Sequence, residues 1–127
     1  MDPAQALADL TEISSQIEAA VLFDESGDVT GSTLADERAA AALARAAARL
    51  LERADTFGGG ERTVTQVEAS AAEGSVFVVR EGKRRIAATT GPDPTVGLVF
   101  YDLKSCLRGA DEQPERRGAA KKDDGEA

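Results

Sequence analysis

The chain predicts an α+β sandwich, a single layer of strands with helices packed on its faces. Three observations carry this expectation. The 127 residues are one domain's worth of chain, enough to bury about two-thirds of the unfolded surface around one core. Segments of helical periodicity alternate with short apolar runs, in the order helix, hairpin, long helix, three strands, helix. Aromatic residues make up only 4% of a chain that is 42% hydrophobic, so aliphatic side chains must fill the core.

The first helix opens at Asp2-Pro3, where aspartate can cap and proline suits the first helical position. Ala6, Leu10, Ile13 and Ile17 recur at helical spacing and define its apolar face. The run Ala19-Ala20-Val21-Leu22-Phe23, the turn segment Asp24-Glu25-Ser26-Gly27-Asp28 and the stretch Val29 to Thr33 read as a β-hairpin. A long helix rich in alanine, arginine and leucine follows, from about Ala35 to Phe57, and Gly58-Gly59-Gly60 stops it.

Thr63 to Ser70 reads as a strand with a polar character. Ser75 to Arg80 is apolar on both faces and so belongs in the middle of the sheet. Glu81-Gly82-Lys83 turns the chain, and Arg84 to Thr90 returns as a strand. Asp93-Pro94 repeats the cap-then-proline signal, and Val96, Val99, Phe100, Leu103 and Leu107 mark a last helix by their spacing. An edge strand through Leu98 to Tyr101 is the alternative for that region. From Ala110 the chain is polar with no aliphatic residue larger than alanine, so residues 1–109 are read as the domain and 110–127 as a disordered charged tail.

The long helix holds most of the functional signal. Ala39, Leu43, Ala46, Leu50, Ala54 and Phe57 point one way and are expected to pack on the domain's own sheet. Ala40, Ala44, Ala48 and Leu51 lie beside them, widening the apolar arc to about 220°, more than one sheet contact needs. This second patch is assigned to a homodimer seam, where alanines let two backbones approach; an exposed alanine-rich face chosen for helix propensity is the competing explanation. The remaining face carries Arg38, Arg45, Arg49 and Arg53. Arg45, Arg49 and Arg53 stack at i, i+4, i+8, a repulsive arrangement that suggests an acidic docking partner or a solvated face.

Charge and missing residue types exclude several functions. The net charge is −8, and the acidic excess is spread along the chain, with 11 basic against 17 acidic side chains in 1–109 and 4 against 6 in 110–127. Such a surface disfavours nucleic acid and anionic membranes as partners. No apolar run is long enough to span a bilayer, and the opening residues lack a basic and then apolar leader, so a cytoplasmic location is expected. The chain has no histidine and one cysteine, Cys106, read as a small buried apolar residue. Histidine-based triads, the common zinc sites and an internal disulfide are therefore impossible. The segment from Asp24 to Ala35 fails as a calcium loop, with Val29 and Ala35 where glycine and glutamate are required. The three glycines at 58–60 are not followed by Lys-Ser or Lys-Thr, so they form no phosphate loop. No cofactor, metal or catalytic residue is expected.

The stretch Ala19-Ala-Val-Leu-Phe-Asp-Glu-Ser-Gly-Asp-Val-Thr-Gly-Ser32 resembles the first hairpin of roadblock / dynein-light-chain domains. The long helix, the hairpin from Ser75 to Ile86 and the closing segment from Val96 through Lys104 fit the same plan, over roughly residues 4 to 109. The resemblance implies a five-stranded antiparallel sheet between one long helix and two terminal helices. It also implies a dimer in which the long helices lie side by side and the third strands pair. Ala44, Ala48 and Leu51 then supply the helix seam, and Thr63, Thr65 and Val67 the paired edge. The alanine-rich, asparagine-free composition suggests a GC-rich bacterial source. Bacterial members of this kind bind a Ras-like small GTPase of the gliding-motility type and regulate it without being the hydrolase, which would make the arginine stripe a partner-binding surface. A structural scaffold without GTPase regulation and a small-ligand sensor are the other functions considered.

Overall fold

A computed structural model describes residues 2–57 and 63–111. The elements run α1 (Pro3–Ile13), β1 (Ile17–Asp24), β2 (Val29–Ser32), α2 (Glu37–Asp55), β3 (Gln66–Ala71), β4 (Gly74–Glu81), β5 (Arg84–Thr90) and α3 (Val96–Asp111). All strand pairs are antiparallel, and the sheet order is β2-β1-β5-β4-β3. The central strands are β1, β5 and β4, and β2 and β3 form the edges.

Local chemistry explains the boundaries. The Asp2 side chain accepts from the Gln5 N–H at 2.8 Å and caps α1, with Pro3 in its first turn. α1 ends at Ile13, since Ser14 takes an extended conformation and returns its N–H to the Leu10 carbonyl. Ile17 therefore lies on β1, not on the helix to which its spacing assigns it. In the first hairpin the Asp24 carboxylate accepts from the Ser26 and Asp28 N–H groups at 2.9 and 3.0 Å, and Gly27 supplies a φ of 88°. Gly82 turns β4 into β5 with a φ of 61°. Gly74 admits no side chain, because a Cβ there would meet the Thr90 carbonyl oxygen of the neighbouring strand.

α3 is a helix throughout, which rules out an edge strand at Leu98 to Tyr101. Asp93 does not start it: that residue sits in the left-handed region at φ 56°, and the helix begins after Thr95, whose carbonyl accepts from Val99. At its other end α3 passes Gly109 and buries Ala110, so the folded unit extends past the expected boundary. The expected tail from 112 onward, like the Gly58-Gly59-Gly60 stop, lies outside the described residues.

Alternation along the central strands gives the sheet two apolar faces. Ala20, Leu22, Phe77, Val79, Ile86 and Ala88 face α1 and α3. Phe77 meets Phe100 of α3 edge to face, ring centroids 5.0 Å apart. Val21, Phe23, Val78 and Ala87 face α2. The long helix thus covers one side of a five-stranded antiparallel sheet and the terminal helices cover the other.

Candidate partner-binding face

α2 is held on the sheet by Ala40, Ala44, Ala47 and Leu51, all buried against Val21, Phe23, Val78 and Ala87. This corrects the assignment made from the sequence. Three of the four residues given to a dimer seam, Ala40, Ala44 and Leu51, belong to the domain's own core and are not available to a partner. Ala48 is half-buried in a crevice with Phe23, Asp55 and Arg85. The stripe expected to face the sheet is the more open one: Ala39, Leu43, Leu50 and Ala54 are half-buried, while Ala46 and Phe57 are exposed, Phe57 at 94%.

The arginines mark the correct geometry. Arg38, Arg45, Arg49 and Arg53 are all exposed on the side opposite the buried alanines, and among the described residues none of the four makes an ion pair. Their shared direction is the signal from which the buried arc could have been read, because a helix lying on a sheet turns its charges directly away.

One flank of α2, with Ala41 and Arg45, faces β2 across an open cavity of about 690 Å³ that Thr30 and Gly31 also line. The opposite flank, with Leu43 and Leu50, joins the partly buried Val67 of β3 and Val76 of β4 in a single cluster. A half-covered apolar strip therefore runs from α2 onto the free edge of the sheet. Val67 is on that strip, paired with Val78. Thr63 and Thr65 precede β3, which begins at Gln66, although the Thr65 carbonyl still accepts from the Arg80 N–H at 2.8 Å.

A polar clamp fixes the approach to that edge. The Arg80 guanidinium donates to the Asp55 carboxylate at 2.6 Å and to the Val64 carbonyl at 2.6 and 3.0 Å. Asp55 in turn accepts from the Val64 N–H at 2.9 Å. Charged Arg80 and the Val64 N–H both favour the ionised carboxylate, so the Asp55 carboxyl is held below the ordinary value of 3.8. This clamp ties the end of α2, the entry to β3 and β4 together, and the charge pattern of the sequence carries no sign of it.

Among the described residues, no group of three or more His, Cys, Asp or Glu side chains could hold a metal, and no helix is long and apolar enough to cross a membrane.

The fold has known counterparts. A roadblock/LC7 domain from Streptomyces avermitilis superposes with a TM-score of 0.76 over 87% of this chain and 96% of its own, at 19% identity. The chain has the roadblock fold. The gliding protein MglB from Thermus thermophilus shares it with a TM-score of 0.68, 15% identity and coverage of 87% and 93%. MglB from Myxococcus xanthus matches with a TM-score of 0.63 at 16% identity, over 94% of this chain and 87% of its own. No family model matches the sequence, and neither does any curated protein.

Proposed function

We propose that this chain is a non-enzymatic regulatory protein that forms a homodimer through the open flank of α2 and the β3 edge, and that the dimer binds a Ras-like small GTPase and modulates its nucleotide cycle. The observation that carries this reading is the half-covered strip of Leu43, Leu50, Val67 and Val76 beside the outer edge of β3. Two copies joined there cover both strips, extend the sheet and remove an exposed edge. Their arginine stripes then lie on one common face, a basic platform on an acidic protein, suited to an acidic partner surface. The roadblock fold shared with two MglB proteins, one of them described as a gliding protein, supports the choice of partner class, and one further MglB structure is described as having a tetrameric arrangement.

Light scattering coupled to size exclusion tests the assembly. The wild type should be a dimer, and Ala46→Glu, at an exposed position the monomer tolerates, should be a monomer. Binding is tested with a Ras-like GTPase carrying a non-hydrolysable GTP analogue. Arg49→Glu should weaken capture about tenfold or more while leaving the dimer intact. A wild type that is dimeric yet neither binds such a GTPase nor changes its turnover supports a scaffold role instead.

A further inference from the structure

On the opposite face of the sheet, α1 and α3 leave a narrow cavity of about 150 Å³ between them. Asp9, Leu10 and Ile13 of α1 form one wall, and Asp102, Ser105 and Cys106 of α3 form the other. Asp102 is only 8% exposed, yet among the described residues its carboxylate has no hydrogen-bond or ionic partner. Asp102 lines the cavity, so its carboxylate is placed to pair with a cation that enters. The neighbouring groups do not supply what it lacks. Asp9 brings a second negative charge and already accepts from Gln5 Nε2 at 2.9 Å. The Cys106 thiol is directed at the Ala6 carbonyl, 3.4 Å away. α1 has no basic side chain at all. Among the described residues nothing brings a positive charge to Asp102, so the cleft is open to a cation carried in by another molecule.

The rim says what carries that cation. Ile13 is 67% exposed, and Leu98, one turn before Asp102 on the same line of α3, is 49% exposed. Tyr101, one turn before Ser105, is 67% exposed. A small polyamine gains nothing from these apolar groups, whereas a side chain projecting from an apolar segment of protein covers them as its charge enters the cavity. A guanidinium suits the two facing carboxylates better than an ammonium, since its fork donates in two directions at once. We propose that the cleft between α1 and α3 is a docking site for an arginine side chain presented on the apolar face of a partner protein's helix, with Asp102 as its counter-ion. This site lies across the sheet from the α2 platform and does not depend on it.

The full-length chain tests this with two fluorescent helical peptides of leucine and alanine, one with a single arginine in its apolar stripe and one with citrulline there. The arginine peptide should bind about tenfold or more tightly than the citrulline peptide and shift the amide resonances of Asp102 and Ser105. Asp102→Asn, nearly isosteric, should abolish the difference between the peptides. Equal binding of both peptides to the wild type, or binding of neither, overturns the proposal, and that comparison needs no variant to fold. Saturable binding of free n-propylguanidinium without binding of the arginine peptide also overturns it, assigning the cavity to a small cation instead.

Discussion

The two faces of the sheet are built to different standards. Against α1 and α3 the core is made of large side chains, and Leu10, Leu22, Phe77, Ile86, Leu103 and Leu107 are essentially sealed from water. Against α2 the buried contacts are chiefly alanine and valine, and Leu34, Leu43, Leu50, Val67 and Val76 at the margins are only partly covered. The first layer seals its large side chains within the chain and leaves the cleft between α1 and α3 open. The second keeps α2 close to the sheet with small residues and leaves its leucines at the border, where a second surface can finish the burial. The more fully buried layer lies under the terminal helices, and the proposed dimer contact lies on the long one.

The largest effect should separate these roles directly. Phe77→Ala removes a sealed ring and its edge-to-face contact with Phe100, which should cost about 3–5 kcal/mol in denaturant unfolding. Leu43→Ala on the open layer should cost the dilute protein well under half of that, but the loss should grow with protein concentration if the proposed dimer forms. Equal losses for the two at low concentration would mean that the α2 layer is as closed as the other.

That difference also explains what could be read from the sequence. The hairpins, the central apolar strand at 75–80 and the final helix were legible, because alternation, turn residues and aliphatic spacing are local signals. The overreach of the first helix to Ile17 came from a spacing that continues by chance across Ser14-Ser15. The face of α2 was misassigned for a deeper reason. Where nearly every position is alanine, small residues suit both a tight sheet contact and an open flank, so the apolar residues alone cannot orient the helix. Only the four arginines, pointing away from Ala40, Ala44, Ala47 and Leu51, break the tie. Asp102 carries no signal in the sequence, because what sets it apart is its surroundings, and a single aspartate in an amphipathic helix looks like any surface charge.

A smaller effect is pH-dependent and confined to the open layer. The Asp55 carboxyl is depressed in the folded chain, so its stabilising contribution is full above the ordinary aspartate value and is lost as pH falls through the folded one. Asp55→Asn should therefore lower the melting temperature at neutral pH, and the gap from wild type should close on acidification below 3.8. A gap that does not change with pH would remove the ionic character of the clamp. The closed layer offers the contrast at Cys106, whose thiol is pushed up to about 11, chiefly by burial and then by Asp9. In the native protein iodoacetamide should label it far more slowly at neutral pH than it labels the unfolded chain. Rapid native labelling would show that the α1–α3 layer opens readily.

The finest test asks whether the layers are independent. Asp2 caps α1 on one side of the sheet, and Asp36 caps α2 on the other by accepting from the Arg38 N–H at 2.9 Å. Either aspartate replaced by alanine strips one N–H of its acceptor at an exposed helix start, a loss of about 1 kcal/mol. The two caps share no partner, so the double variant should lose the sum of the single losses to within about 0.5 kcal/mol. A larger deviation would mean that fraying one helix loosens the other through the strands between them. The sheet would then transmit strain from the closed layer to the open one, and occupancy of the α1–α3 cleft could tune the association of α2. Additivity would instead leave the sheet as a rigid partition with separate tasks on its two sides.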